Sequence, residues 1–397
     1  MNAAALDKLR ILDLTDERAI YGAKLLGDLG ADVVRPEPVQ GDPLRGRGPF
    51  KKSDHPGRPD VSLYYAFFAS SRRHFQIDLE RVDGQELFNR LVQACDVIVA
   101  CQGGFGVDLL DFDELRTVNP ELVIVDVTSF GRQGPWKDYA APDFVAGALA
   151  GAVATTGDVD TPPLKAFGDL NFMVSGAYAG IAALSAIRAA RTFGGGDQVS
   201  VNVHECIASC LEQVLMFYWY AEVMMRPEGK VLPRRGSTHW SDAFTVMNGQ
   251  DGSIMVTPTP DWDKQLAWLI EEDAHEDLID PKYLEPENLR LRIERTMELL
   301  TGWVSTKEVE PLFFDAQDRH MPYGWVQPLS RIGENPQLQA REWFVDYNLQ
   351  GEDSKGPGAP YQFSRTPWSV HAGVEDPSGI PADPQTVLAD LGWEGSA

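Results

Sequence analysis

The chain has 397 residues, 43% of them apolar, and a formal net charge of −24. That length allows two domains with separate cores, whereas the acidic balance argues against nucleic acid, which demands basic surface. No run of about 18 apolar residues stands out, so a membrane span is not expected; the opening MNAAALDKLRILDL has no signal-peptide layout, and the expected location is cytoplasmic.

The first two hundred residues alternate strand and helix. RILDLT reads as a strand, RAIYGAKLLGDLG as a helix ending at Gly30, and ADVVRPE as the next strand. FQIDL, DVIVACQ and ELVIVDVTSFG follow as strands, with DGQELFNRLVQAC as a helix between the first two. This alternation predicts a parallel, doubly wound α/β sheet. A small-residue helix over 172–191 leads through FGGGDQ to the strand QVSVNV, and a long apolar helix is expected from about Glu205 to Met225. RPEGKVLPRRGSTHW, rich in Pro, Gly and charge, marks a domain boundary. Beyond it FTVMNGQDGSIMVTPT predicts a hairpin with its tip at Asn248 to Ser253, followed by helices around DWDKQLAWLIEE and ENLRLRIERTMELLTGWV. The expected layout is a large domain over 1–204, a connecting helix over 205–226, a small domain over 227–325, and a tail over 326–397 returning to the large domain.

Cys95, Cys101, Cys206 and Cys210 form no CxxC pair and read as buried thiols of a reducing compartment. The seven histidines are scattered; neither His204 nor His239 has a second ligand at metal spacing, and no metal site is expected. Residues 35–75 carry Arg35, Arg45, Arg47, Lys51, Lys52, Arg58, Arg72 and Arg73 against Glu37, Asp42, Asp54 and Asp60. This basic stretch in an acidic protein reads either as a phosphate-receiving surface or as a solvated loop.

The first strand-to-helix turn, LTDERAIYG, lacks the glycines of a dinucleotide site. GGFGVDLL, after DVIVACQ, has two of three glycines of that pattern but Leu109 at the third, leaving backbone N–H groups that can face a phosphate. P-loop, HExxH and GxSxG signatures are absent. Asp169 lies directly before the small-residue helix, where backbone N–H groups and the helix dipole favour a carboxylate. Locally it reads as a structural N-cap or as an acyl-accepting nucleophile, and the local pattern favours the cap.

The arrangement of motifs changes that balance. LDLTDERAIYGAKLLGDLGADVVRPEPVQGDPLR, then FQIDLERVDGQELFNRLVQACDVIV, NPELVIVDVTSFGRQGPW, APDFVAGALAGAVATTG and the GD of Asp169 occur in one order. With NGQDGSIMV and DPQTVLADLGW, they make the chain resemble the family III CoA-transferases, the group of formyl-CoA and carnitine CoA-transferases and 2-methylacyl-CoA racemases. The resemblance implies a large Rossmann-like domain built from both chain ends, a smaller inserted α+β domain, and an interlocked dimer. It implies transfer of coenzyme A from an acyl-CoA, such as succinyl-CoA, to a carboxylic acid, with Asp169 as the nucleophile that carries an aspartyl-CoA thioester. No permanently bound cofactor is implied; the CoA thioester is the substrate. Asp143 in APDF matches an acidic position that helps to orient the nucleophile, or else caps a helix after Pro142. Racemase relatives carry a histidine where this chain has Pro142, which argues against racemization.

For the CoA site the resemblance implies Arg18, Arg72, Asp78, Leu79, Cys101, Gln102 and Gly103. Several family contacts are replaced: an arginine by Pro38 or Val39, a lysine by Glu80, an ENF stretch by Ala100, Cys101 and Gln102, and a further arginine by Leu109. Arg18, Arg72 or Arg73 stand as substitute cations, and the GGFG turn as a source of backbone donors. Two readings follow: a self-sufficient homodimeric transferase, or a subunit of a hetero-oligomer like the benzylsuccinate enzymes, with a catalytically silent homologue as a third. The ten tryptophans and the run MFYWY at 216–220 suggest a bulky aromatic or alicyclic acid as acceptor.

Overall fold

A computed structural model describes residues 4–52, 60–157, 161–211, 245–257, 262–349, 352–370 and 384–393. Arg58 and Asp54 of the basic stretch, the expected long helix beyond Leu211, the aromatic run at 216–220 and the linker with His239 lie outside the described residues. Two compact units emerge, one from Met1–Ala152, Lys165–Glu212 and Gln339–Ala397, the other from Val153–Leu164 and Gln213–Leu338.

The larger unit is built on a six-stranded sheet. Its strands are β1 (Arg10–Leu14), β2 (Asp32–Glu37), β3 (Arg73–Gln76), β4 (Val97–Cys101), β5 (Val123–Thr128) and β6 (Gln198–Asn202). All pair in parallel, in the spatial order β3-β2-β1-β4-β5-β6. VIVAC of β4 and VIVDVT of β5 are buried throughout, as central parallel strands covered on both faces must be. Alternate residues serve opposite faces. Ile11, Val33, Val97, Val99 and Val125 pack with helix residues Leu26, Ala179 and Ala183, whereas Leu12, Val34, Ile98 and Ala100 pack with Leu87, Phe88 and Leu91. The helices concerned are α1 (Ile20–Asp28), α3 (Val82–Ala94) and α6 (Leu170–Phe193); α2 (Leu63–Phe68), α4 (Phe112–Val118) and α5 (Asp143–Leu149) complete this part of the chain. Leu388 and Trp393, at and just beyond a helix over Pro384–Leu391, join the second face, and Trp393 donates its indole N–H to Asp32 at 2.7 Å.

Helix α6 is 24 residues long and, by length and apolarity alone, able to cross a membrane, which the search for an unbroken apolar run did not anticipate. Its small residues instead let it lie against α1. A Cβ on Gly22 would come within 2.1 Å of the Gly176 carbonyl oxygen, so glycine is required there for the backbones to approach. This crossing fixes where α6 begins relative to the sheet.

The helix expected from Glu205 starts at Val203 as α7 (Val203–Ser209), with Cys210 at its C-cap. A hairpin over Phe344–Leu349 and Glu352–Pro357, not expected from the sequence, also belongs to this unit. In the smaller unit Thr245–Asn248, Ser253–Val256 and Gly324–Val326 form an antiparallel sheet, and the predicted hairpin closes with Asn248 opposite Ser253. Its core surrounds Trp268, Leu300 and Trp303. The four cysteines are free, and all but Cys210 are buried.

Among the described residues of the basic stretch, most arginines are paired with acids, several of them inside the protein. Arg35 lies 3.0 Å from Asp13 and donates to Asp42 at 2.8 Å. Arg72, its side chain fully enclosed, sits 3.1 Å from Asp13. Arg45 grips Glu37 through two 2.8 Å hydrogen bonds, and Arg73 pairs with Asp32. Counting charges along the stretch misses partners supplied by β1 and β2. Burial raises the Asp13 carboxyl, but Arg72 and Arg35 outweigh it and hold it below its ordinary value; burial likewise opposes ionised Glu37, which hydrogen bonds from His74 and Arg45 bring well below. Carboxylates depressed in the folded state stabilise it above their unfolded pKa of about 4, and that contribution fades as pH falls through the lower folded values. The stability gap between wild type and Asp13→Asn is therefore expected to stay constant from about pH 7 to 5 and to shrink below about pH 4. Urea titrations at stepped pH check this; a gap that widens on acidification contradicts it.

Candidate active site

In a sheet ordered β3-β2-β1-β4-β5-β6 the strand order reverses between β1 and β4, and the loops leaving their carboxyl ends diverge around a crevice. Asp16 to Arg18 follow β1; Gln102 to Gly106 follow β4. Arg18 bridges these loops, because its guanidinium holds Asp16 and also donates to the Gln102 carbonyl. Burial disfavours its charge, yet its hydrogen bonds to Asp16 outweigh that and raise its pKa above the usual arginine value. Gly103 and Gly106 take φ near +75°, a left-handed conformation suited to glycine, so the GGFG turn folds tightly over the end of β4.

Of the sequence-derived CoA residues, Arg18, Gln102 and Gly103 meet here. Cys101 is fully buried, with its thiol pushed well up by burial. Asp78 and Leu79 lie beyond β3; Asp78 accepts the Glu80 amide at 3.1 Å and the Leu79 carbonyl accepts from Gln85 at 2.8 Å. Leu79 is partly buried against the second sheet face. The Arg72 guanidinium, in contrast, faces Asp13 and the Ile20 carbonyl inside the protein, so its role is internal charge pairing. Arg73 is half exposed but held by Asp32 and the Leu391 carbonyl.

The start of α6 resolves the two acids. Asp169 occupies the N-cap position, φ −108° and ψ 48°, yet its side chain makes no capping hydrogen bond. The third amide of the helix, Phe172 N–H, donates instead to Asp143 Oδ1 at 3.0 Å. Asp143 Oδ2 accepts from the Asn171 side chain at 2.9 Å, and Lys165 Nζ lies 3.9 Å away while donating to the Gly168 carbonyl. Asp143 is at the first position of α5 but caps α6, satisfying a donor that a helix leaves orphaned. The local reading of Asp169 as a cap is thereby displaced, because another residue already fills that role.

Freed from capping, Asp169 turns one oxygen to the Arg47 guanidinium, with 14% of its side chain accessible. Arg47 stacks over the Tyr64 ring at 4.2 Å. The Tyr64 hydroxyl is driven to a higher pKa by burial first, against Arg47 and with the negative charges of Asp169, Glu17 and Asp16, which places α2, the β1 loop and the α6 mouth around one spot. Ser175, one turn into α6, donates to the Arg18 carbonyl at 2.6 Å and ties that mouth to the crevice. Arg47 entered the sequence reading only as part of a charge run; Tyr64, Asn171 and Lys165 did not enter it. For Asn171 the available signal was the DLN triplet, which sets a second polar side chain two residues after Asp169 at the start of an otherwise apolar helix.

A doubly wound α/β protein, with an uncapped carboxylate at a helix mouth tied to the switch-point crevice, is the class that fold and site define. The chain matches CoA-transferase family III over residues 6–378 and belongs to that family. It is 31% identical over 379 residues, 91% of this chain and 89% of its relative, to the succinyl-CoA:(R)-benzylsuccinate CoA-transferase subunit BbsE of Thauera aromatica. It is 28% identical to the succinyl-CoA:mesaconate CoA-transferase of Haloarcula hispanica, covering 91% of each chain, and 27% identical to a formyl-CoA:oxalate CoA-transferase of Streptomyces avermitilis, covering 92% of this chain and 91% of that one. The same fold occurs in a CAIB/BAIF family protein from Brucella suis, with TM-score 0.83 and 24% identity over 98% of this chain and 100% of that one. The chain is a CoA-transferase, and CoA thioesters are its substrates.

Proposed function

We propose that this chain moves coenzyme A from an acyl-CoA such as succinyl-CoA to a carboxylic acid through an aspartyl-CoA thioester on Asp169. Asp169 attacks the donor thioester, giving a mixed anhydride and CoA thiolate. The thiolate attacks the aspartyl carbonyl, releasing the donor acid and leaving CoA on Asp169; the acceptor acid then takes it. Each intermediate hydrolyses in open water, so the path needs an ionised, sheltered carboxylate. The observation that carries this reading is the division of labour at α6: Asp143 caps the helix, and Asp169 is left facing Arg47. Asp143 acts as a positioning residue by fixing the first turn of α6. We assign CoA to the switch-point crevice with Arg18, Asp78, Leu79, Gln102 and Gly103 around it, and Arg72 and Cys101 as its buried support.

Incubation with succinyl-CoA followed by hydroxylamine tests this. Peptide mass spectrometry is expected to find the hydroxamate at Asp169. If only unmodified Asp169 is recovered, both from the chain alone and from the chain with its co-purifying subunits, the nucleophile reading is wrong.

A second reading has its own support, since the benzylsuccinate relative is named as a subunit. Exposed apolar side chains on α5 and α6, among them Phe144, Leu149 and Ile181, offer a face for a second chain. A homodimer in the interlocked form, or a heterodimer with a related subunit, would cover it; mass in solution separates a lone chain from either. We place the enzyme in the cytoplasm, where the free cysteines persist.

A further inference from the structure

We propose that Arg47 exchanges carboxylates during turnover: it holds Asp169 in the resting enzyme, and the acceptor acid once Asp169 carries CoA. The proposal rests on the nucleophile reading of Asp169 and adds the group that makes an acid the preferred acceptor.

The Arg47 guanidinium pairs with Asp169 and lies over the Tyr64 ring, 4.2 Å from its centroid, with 36% of its side chain open to solvent. The Arg47 main chain is held by contacts other than Asp169. The Arg47 amide donates to the Leu44 carbonyl at 3.1 Å, and its carbonyl accepts the Ser62 hydroxyl. The same hydroxyl oxygen accepts the Tyr65 amide at 3.0 Å and caps α2, the helix that carries Tyr64. Backbone anchors and ring stacking therefore keep the guanidinium in place when its ion-pair partner changes. Lys165, another cation near these acids, is turned to the Gly168 carbonyl and Asp143.

Conversion of Asp169 to a thioester removes its negative charge, and the guanidinium stays protonated. A cation with forked donors, adjacent to the new electrophile and open on one side, attracts and orients an incoming carboxylate. The acceptor oxygen forms a C–O bond to the aspartyl carbonyl while the C–S bond breaks, and the CoA thiolate leaves with the electron pair. The thiolate then forms a C–S bond at the acceptor carbonyl. The bond between the acceptor carbonyl carbon and the bridging oxygen breaks; that oxygen keeps the electron pair and remains on the aspartate carboxylate, and Arg47 regains its first partner.

The test uses the enzyme as purified, with any subunits that accompany it. Wild type and Arg47→Gln are loaded with succinyl-CoA and freed of small molecules, and Asp169-bound CoA is quantified by mass. The adduct is then discharged with succinate, necessarily an acceptor because it is the donor's own acid, or with hydroxylamine, a neutral nucleophile at pH 7. Arg47→Gln is expected to slow discharge by succinate about 10- to 100-fold, with hydroxylamine discharge changed by less than about 3-fold. Arg47→Lys is expected to recover part of the succinate rate by restoring charge. A merely structural role slows both nucleophiles together, and an idle Arg47 slows neither; each result overturns the exchange while leaving the Asp169 adduct intact. An Arg47→Gln enzyme that cannot be loaded, although wild type can, also overturns it. Absence of the adduct in wild type overturns the nucleophile reading and this proposal with it.

Discussion

Replacing Asp169 by asparagine is expected to lower CoA transfer by at least about 10³-fold, since an amide cannot carry the acyl group. Stability is expected to change by less than about 1 kcal/mol, because the Asp169 side chain makes no capping hydrogen bond and its ion pair with Arg47 is partly solvated. Asp143→Ala should show the opposite emphasis. It removes the acceptor for the Phe172 amide, and the loss of a helix cap costs about 1–2 kcal/mol; transfer falls less than in Asp169→Asn, through a displaced α6 mouth. Urea unfolding together with succinyl-CoA-dependent transfer checks both halves. If Asp169→Asn transfers CoA at the native rate, or destabilises more than Asp143→Ala, the assignment of roles is wrong.

The second large effect is structural. Asp13→Ala removes the carboxylate shared by the Arg35 and Arg72 guanidiniums, all three being buried. Arg35 retains Asp42; Arg72 loses the acid that faces it. Breaking a buried pair by deleting one partner typically costs about 3–5 kcal/mol, because the remaining charge stays out of water. A shift of that size in urea-unfolding free energy is expected. The damage also reaches the site, since Asp13 accepts the Thr15 amide and hydroxyl, at 3.0 and 2.6 Å, where β1 turns toward Asp16 and Arg18. Replacing Asp13 and Arg72 together by apolar residues should cost less than Asp13→Ala alone, as Arg35 keeps Asp42 and the Arg72 charge is removed with its partner. Equal or greater loss in the double variant contradicts this account.

Sequence reading succeeded where the physical signal is local and repetitive. The runs VIVAC and VIVDVT and the helical segments between strands declare a parallel sheet, because strands covered on both faces have no polar alternation. The glycine-bearing turn after β4 was equally visible. What failed was inference about charge. Arg35, Arg45, Arg72 and Arg73 looked like a basic surface because partners such as Asp13 and Asp32 sit on other strands or at other strand ends. The hairpin over Phe344–Leu349 and Glu352–Pro357 was missed because its strands carry only weak alternation, through FVDYNL and the polar EDSKGP.

The two acids show the division most sharply. Residue order alone determined the sheet, the family resemblance, and Asp169 and Asp143 as the acids to watch, since hydrophobic period and motif order are properties of the chain. Which acid caps α6 and which faces Arg47 was decided only by tertiary structure. An N-cap is assigned by the nearest carboxylate in space, and the Gly22–Gly176 crossing and the start of α5 bring Asp143, not Asp169, to the Phe172 amide. Folding thus left one carboxylate structural and the other available for chemistry.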